Sequence, residues 1–255
     1  MDTSQNITKL GLIITEDAEH WENGKLLGNL ISERIKSFDN TENVQIDIFL
    51  AFLGSLPERL WDYKGFIISG SHYSVNENFE WIQKLERFVI ELVTLDSSIR
   101  PKLYGICFGH QLIAKSLGGK VEYAKKYIIG ANKISVEPEL QKKSYFKEVF
   151  NENCTILSIF QSHREEVVVL PPDAVVVASS DTCQYEMLMY GEHILSSQGH
   201  PELSTEKLKK YILPRSITNH NLKNGELEKV LLSMENVNTD NLMKMIISFL
   251  QISKN

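Results

Sequence analysis

The sequence contains little cysteine, no long apolar run and no excess of positive charge. Its three cysteines, Cys107, Cys154 and Cys183, are too few and too widely spaced for a disulfide framework, which indicates a reducing compartment. No apolar stretch approaches the roughly 20 residues that a transmembrane helix requires, and no segment has the pattern of a signal peptide. These absences predict a cytoplasmic location, with a nuclear one also open, and no membrane partner.

Positive charge and metal-binding patterns are scarce as well. The formal net charge is −6, which disfavours nucleic acid as a partner because such binding needs a positive field. No C-x-x-C motif and no pair of histidines at helical i, i+4 spacing occurs, so no metal is predicted. Gly118 and Gly119 end a predicted helix rather than open one, which disfavours a phosphate loop. The sequence therefore predicts neither a metal nor another cofactor.

The first half of the sequence alternates between strand and helix patterns. Apolar or alternating runs at residues 10–14, 44–49, 63–70 and 102–106 predict strands, and Ile82, Leu85, Val89 and Leu92 recur at helical spacing. Such alternation is typical of a parallel sheet with helices on its faces. We therefore predict an α/β fold for this half.

The second half is richer in short strand patterns, at residues 154–160, 166–170, 174–179, 186–190 and 193–197. Ser204 is placed to cap a helix over residues 205–211, and a final amphipathic helix begins at Thr239 or Asp240. The polar stretch 214–225 is predicted to be a surface connection. We predict one domain over residues 1–255, with a core of about 10–211 and a C-terminal helical extension over 212–255.

A possible nucleophile lies between the fourth predicted strand and the next helix. In Gly105-Ile-Cys-Phe-Gly109, two glycines flank Cys107 and permit the tight strand-to-helix turn that exposes a strained nucleophile. The helix N-terminus stabilises a thiolate there. A lone cysteine is more often a core residue, and that interpretation is kept for Cys154 and Cys183, which lack both an elbow and a nearby base.

Two backbone N–H groups are predicted to stabilise an oxyanion formed by attack of Cys107 on a carbonyl. The N–H of Phe108 follows the nucleophile directly, and the N–H of Gly70 lies at the end of the preceding predicted strand. The loops after adjacent strands of a doubly wound sheet meet at one edge, where ligands bind. Gly70 and Phe108 are therefore the predicted oxyanion hole.

A general base is predicted in Gly199-His-Pro-Glu202, after the last strand pattern. Glu202 follows His200 by two residues, with a proline that stiffens the step, and can turn back to orient the imidazole. Cys107, His200 and Glu202 then form a nucleophile, base and orienting carboxylate.

The two motifs together, Gly105-Ile-Cys-Phe-Gly-His-Gln111 and Gly199-His-Pro-Glu202, resemble those of the class I glutamine amidotransferases over about residues 10–211. The resemblance implies a flavodoxin-like, doubly wound, mostly parallel sheet with helices on both faces and short antiparallel strands in the second half. It implies hydrolysis of the γ-amide of glutamine through a γ-glutamyl thioester. It also places Gln111, Ser162 and His163 in the substrate pocket, although His163 could equally make only structural hydrogen bonds.

Within that family, the segments 62–71, 81–85 and 163–167 resemble the stand-alone γ-glutamyl peptidases, which are similar to the glutaminase domain of GMP synthase. The chain departs from their pattern in the loop 72–79. The resemblance implies a small-molecule γ-glutamyl substrate, either glutamine or a glutathione-type peptide. Two alternatives stay open: a glutaminase subunit that delivers ammonia to a separate synthase chain, and a non-enzymatic redox-sensing or binding protein on the same fold.

Overall fold

A computed structural model describes residues 7–39, 41–220 and 222–252 of the chain. The strands among these residues are β1 (Thr8–Ile14), β2 (Val44–Leu50), β3 (Gly65–Ile68), β4 (Lys102–Ile106), β5 (Lys120–Val136), β6 (Ile156–Val169), β7 (Val175–Ser179), β8 (Met187–Tyr190) and β9 (Ile194–Ser197). The α-helices are α1 (Lys25–Lys36), α2 (Glu80–Thr94), α3 (Phe108–Ser116), α4 (Pro138–Gln141), α5 (Ser144–Lys147), α6 (Thr205–Lys207), α7 (Leu213–His220), α8 (Asn224–Ser233) and α9 (Asp240–Phe249). A π-helical segment, Leu208–Ile212, joins α6 to α7.

The strands form one sheet in the order β2-β1-β3-β4-β9-β8-β7-β5-β6. The strands from β2 to β9 pair in parallel, and those from β9 to β6 pair antiparallel. The carboxyl ends of β1, β3, β4 and β9 therefore meet at one edge of the sheet, which is where ligands bind in open α/β sheets. The predicted α/β class with helices on both faces is confirmed.

Apolar side chains cover both faces of the parallel strands. One buried cluster joins the sheet to α1 and α9, and the other joins it to α2 and α3. All four residues of β3 are buried, as expected of a central strand covered on both faces. At the edge that carries the candidate site, the N–H of Cys107 donates to the Ser197 carbonyl oxygen at 2.8 Å, which fixes the end of β4 against β9.

The antiparallel part differs from the sequence-based prediction in two strands. The sequence predicts two short strands over residues 154–170, but β6 is continuous over 14 residues. Its partner β5 has 17 residues and is absent from the prediction. The register of this pair shifts between Tyr123 and Ile128, which interrupts the alternation of buried and exposed residues that identifies a strand.

The prediction of a surface connection over residues 214–225 is also wrong, since most of this stretch belongs to α7 and to the start of α8. Of the α7 side chains, only Leu213 and Ser216 are buried, so this helix of eight residues is too short and too polar to be recognised from a run of apolar residues in the sequence. A third apolar cluster attaches this region to the sheet through Phe160, Leu203, Leu208, Leu213, Val230 and Met234.

Among the described residues, none of the helices is both long enough and apolar enough to cross a membrane. Ser204 caps α6 as predicted, because its hydroxyl accepts a hydrogen bond from the Lys207 N–H at 3.2 Å. The final helix begins at Asp240 with Thr239 as its N-cap residue, also as predicted. The assignment of the chain to a single domain stays a prediction.

Candidate active site

Cys107 lies on the predicted sharp turn between β4 and α3. Its φ of 49° and ψ of −99° place a non-glycine residue in a strained conformation, of the kind found at nucleophile elbows. The flanking glycines permit this turn because side chains would not fit there. A Cβ on Gly105 would lie 2.7 Å from the carbonyl carbon and oxygen of Gly109, and one on Gly109 would lie 2.5 Å from the Ile68 carbonyl oxygen.

His200 is held beside this turn by its backbone and by Glu202. Its N–H donates to the Phe160 carbonyl oxygen at 2.7 Å, and its Nδ1 lies 2.8 Å from Glu202 Oε1. Both side chains are almost fully buried. Within the described part of the chain, His200 Nε2 has no hydrogen-bond partner, so the nitrogen that a general base uses is unoccupied.

Gly70 brings the base and the nucleophile together. A Cβ built on Gly70 would lie 2.9 Å from His200 Cε1 and 3.5 Å from Cys107 Cβ, so both side chains pack against the same backbone position. Burial by itself would lower the pKa of His200. The negative charges of Glu202 and of a Cys107 thiolate oppose burial and raise that pKa well above its ordinary value of 6.5.

The two predicted oxyanion donors flank Cys107. Phe108 opens α3, where backbone N–H groups lack partners inside the helix. Gly70 is fixed by Thr15, whose hydroxyl donates to the Gly70 carbonyl oxygen at 3.0 Å. In the described residues, neither the Gly70 N–H nor the Phe108 N–H is bonded to another protein group. Two free donors next to a nucleophile can stabilise the oxyanion of a tetrahedral intermediate.

Comparison with protein-family models matches residues 24–219 to the class-I glutamine amidotransferases. The chain belongs to this family. Gamma-glutamyl peptidase 3 of Arabidopsis thaliana is 35% identical over 188 residues, which cover 72% of this chain and 73% of that protein. One of the subunits of the glutamine-hydrolyzing GMP synthase of Pyrococcus abyssi is 40% identical over 103 residues, which cover 40% of this chain and 51% of that protein.

A solved structure of a glutamine amidotransferase from Thermotoga maritima has the same fold. It superposes with a TM-score of 0.72 over 96% of this chain and 99% of that chain, at 20% sequence identity. The predicted family, the flavodoxin-like fold and the assignment as a family enzyme that hydrolyses glutamine-type amides are thereby confirmed. The roles of individual site residues stay predictions.

The three residues predicted to bind substrate, Gln111, Ser162 and His163, line one cleft with Cys107. The side-chain amide of Gln111 donates to the Glu165 carbonyl oxygen at 2.7 Å and to Gln198 Oε1 at 3.1 Å. These bonds occupy both of its donor hydrogens and leave its oxygen as the atom for a ligand.

Ser162 and His163 differ in what they offer to a ligand. The Ser162 carbonyl oxygen lies 3.9 Å from Cys107 Sγ, and the Ser162 hydroxyl is bonded to that of Tyr127 at 2.8 Å. Burial lowers the pKa of His163 to about 4, which makes it a neutral imidazole near pH 7. Its Nδ1 lies 3.1 Å from the Glu165 carbonyl oxygen, and its Nε2 has no partner among the described residues.

The sequence-based prediction misses Tyr127 and Arg215, which line the cleft, and Gln198, whose side chain contacts Cys107. Gln198 Nε2 lies 3.5 Å from Cys107 Sγ, and its position just before the Gly199-His200 motif is a signal that could have identified it. Tyr127 lies on the unpredicted strand β5, and Arg215 lies on α7, for which the sequence predicts a loop. Neither belongs to a recognisable motif.

A group of ionisable side chains lies at the rim of the cleft. Oxygen and nitrogen atoms of Glu16, Asp17 and His72 lie within 4.8 Å of one another, an arrangement that could hold a cation. The group is already paired internally, because His72 Nδ1 lies 2.6 Å from Glu16 Oε1. This hydrogen bond is the main cause of the raised pKa of His72. His72 is half exposed and is paired with a buried carboxylate.

Proposed function

We propose that this chain hydrolyses γ-glutamyl amide bonds through a thioester on Cys107. The observation that carries the proposal is the packing of Cys107 and of the Glu202-bound His200 around the backbone of Gly70. A strained nucleophile, a base whose Nε2 has no partner in the described part of the chain, and two backbone N–H groups that are unpaired there are the parts that acyl transfer requires.

The acylation step follows from these positions. Cys107 Sγ attacks the γ-carbonyl carbon, and His200 Nε2 holds the proton that the thiol has given up. The carbonyl oxygen becomes an oxyanion that accepts hydrogen bonds from the N–H groups of Gly70 and Phe108. As the tetrahedral intermediate collapses, the carbon–nitrogen bond breaks and His200 transfers its proton to the leaving nitrogen.

The deacylation step uses the same residues. A water molecule gives a proton to His200 Nε2 and attacks the thioester carbon, and a second oxyanion forms at the same donors. The carbon–sulfur bond then breaks and releases glutamate, and the proton on His200 returns to Cys107 or stays as an imidazolium beside the thiolate. Throughout both steps Glu202 holds Nδ1–H of the ring, which keeps Nε2 directed at the reacting atoms.

For the substrate, we favour γ-glutamyl peptides of the glutathione type over glutamine. The cleft has a volume of about 580 Å³, within the range of roughly 300–1,000 Å³ that holds ligands of drug size. That space exceeds what a γ-glutamyl group with an ammonia leaving group needs. The similarity to gamma-glutamyl peptidase 3, which extends over 72% of this chain, supports the same preference.

A glutaminase subunit with a separate synthase chain as partner is the second candidate. It is favoured by the 40% identity to the GMP synthase protein of Pyrococcus abyssi over 103 residues. Such a protein would hydrolyse glutamine slowly by itself and faster in the presence of its synthase. The third candidate, a redox-sensing or binding protein, needs no ordered base, and the buried His200–Glu202 pair speaks against it.

The deciding experiment is mass spectrometry of the purified chain incubated separately with glutamine and with glutathione. We expect release of glutamate from glutathione and a γ-glutamyl adduct on Cys107. Cys107→Ala should abolish both, whereas Cys154→Ala, which removes a partly exposed thiol outside the cleft, should abolish neither.

The other outcomes separate the candidates. Turnover of glutamine alone favours the glutaminase subunit. If neither compound reacts and no adduct forms, the proposal of a stand-alone hydrolase is wrong. An unaltered redox response in a His200→Ala variant would then favour the sensor.

A further inference from the structure

The cleft wall formed by residues after Glu202 carries a cation, Arg215, that has no anionic partner among the described residues. Tyr211, Ile212 and Arg215 line this wall, and the guanidinium of Arg215 contacts a neutral group, with its Nη1 2.5 Å from His20 Nδ1. Over residues 7–39, 41–220 and 222–252, no carboxylate forms an ion pair with Arg215. A guanidinium has five N–H donors in a planar fork that fits a carboxylate, so most of its donors are available.

The groups around Arg215 do not neutralise it. Burial, followed by the charge of Arg215, lowers the pKa of His20, so its ring is neutral near pH 7 and can accept the guanidinium hydrogen. Glu16 also lines the cleft, but both of its oxygens are bonded elsewhere. Oε1 accepts from the Ala18 N–H at 2.8 Å, and Oε2 accepts from the His72 N–H at 2.9 Å.

Contacts of Ser216 and His220 with Tyr127 hold helix α7 in place at the cleft. The neighbouring Ser216 Oγ lies 2.9 Å from the hydroxyl of Tyr127, and the Tyr127 ring stacks on His220 with 3.7 Å between ring centroids and 17° between planes. The π-helical turn before α7 adds a residue to the helical path, and such turns often occur at functional sites. These contacts preorganise the wall without using the guanidinium.

The chemistry of acyl transfer says which part of a substrate faces this wall. His200 protonates the leaving nitrogen, so the leaving group lies on the His200 side of the scissile bond. Arg215 lines the same cleft as His200 and Glu202. Of the residues predicted to hold the glutamyl group, Gln111 and His163 are both bonded to the Glu165 carbonyl oxygen, at 2.7 and 3.1 Å, whereas Arg215 contacts His20.

We propose that Arg215 binds the carboxylate of the leaving group, so that the preferred substrates are γ-glutamyl peptides with a free C-terminal carboxylate. This inference rests on the proposed γ-glutamyl hydrolysis and adds the chemical class of its leaving group. Ammonia and uncharged amines would leave the guanidinium without a partner. Arg215 is then a specificity-determining residue, which contacts substrate but not the reacting atoms.

The test measures binding in the inactive Cys107→Ala background of the full chain. The ligands are S-methylglutathione and the same compound with its C-terminal carboxylate converted to an amide, titrated by calorimetry. A charge-assisted hydrogen bond predicts that the amide binds at least about tenfold more weakly. Adding Arg215→Gln should remove this difference between the two ligands.

Arg164→Gln is the matched control. Arg164 also lines the cleft but stacks on Tyr123, with its guanidinium carbon 5.4 Å from the ring centroid. The Arg164→Gln substitution removes one positive charge from the same cleft. It therefore tests whether the preference for the carboxylate ligand reflects only the total charge of the cleft. We expect the preference for the carboxylate to survive Arg164→Gln.

Equal binding of the two ligands in Cys107→Ala overturns the inference, as does binding of neither. An equal loss of affinity for both in the Arg215→Gln variant overturns it too, because that result assigns Arg215 to the glutamyl group. The proposed function is tested separately, by measuring turnover of S-methylglutathione by the wild-type chain. Turnover of both ligands at equal rates would retain the function and reject the role of Arg215.

Discussion

The substitution Gly70→Ala tests the geometry of the candidate site, because it adds one methyl group and keeps the backbone N–H. The new Cβ would lie 2.9 Å from His200 Cε1, whereas ordinary contacts of a Cβ lie at 3.4–4 Å. The imidazole must therefore retreat from 2.9 Å to at least 3.4 Å. That movement takes Nε2 away from its position beside Cys107.

The His200 ring cannot move away from the added methyl group without weakening the hydrogen bonds that orient it. Its Nδ1 is bonded to Glu202 at 2.8 Å and its backbone to Phe160 at 2.7 Å, so the displacement changes the direction of Nε2. A misplacement of about 1 Å can lower a rate by roughly 100-fold. Half that displacement predicts a fall in kcat of about tenfold, with a steric effect on stability of about 1–3 kcal/mol.

The assay compares kcat for release of glutamate from a γ-glutamyl substrate with the free energy of unfolding in urea. Gly225→Ala is the control, since a Cβ at Gly225 meets no atom within 4 Å and should leave kcat unchanged. A Gly70→Ala enzyme that folds and retains kcat within twofold of wild type would refute the close packing of His200 on Gly70.

Three further substitutions test other parts of the structure. Glu202→Gln removes the charge that raises the pKa of His200. It should lower the rate of adduct formation on Cys107 by at least about 100-fold, and an unchanged rate would contradict the orienting role. Burial lowers the pKa of His110 from 6.5 to about 3, so the unfolded chain binds the proton first, and stability is lost as the pH falls below 6.5. This histidine should account for about 3 kcal/mol of the loss in the free energy of unfolding at pH 4.5. Urea titrations should show that the His110→Gln variant loses less of its stability between neutral pH and pH 4.5. Ser204→Ala removes the N-cap bond to Lys207 and should lower the free energy of unfolding by about 1 kcal/mol. An unaltered urea midpoint would show that the cap is dispensable.

The parallel half of the fold could be predicted because its signals are local. The run Lys102–Ile106 has only one charged residue and ends at an elbow motif, and the structure places β4 at those residues. The antiparallel half was harder to predict from the sequence, because β5 gains its stability from pairing with the distant strand β6. Tyr123 is largely exposed, and its strand carries no periodic apolar face that a sequence window could detect.

The proximity of the three candidate catalytic residues was easier to predict than the walls of the cleft. Cys107, His200 and Glu202 belong to short motifs whose spacing has a mechanical reason, and the structure places them at one edge of the sheet. Tyr127 and Arg215 enter the same cleft from elements that are far apart in sequence. Their positions depend on tertiary packing, which local sequence patterns do not reveal.

The third apolar cluster, from Phe160 to Met234, has a consequence for how such enzymes diverge. It anchors the cleft wall that carries Arg215, and it is distinct from the two clusters that support the elbow and the parallel strands. Changes in this cluster can tilt or reshape the wall while the nucleophile stays in place. Reactivity and selectivity can therefore evolve at different rates, with one retained reaction and many accepted leaving groups.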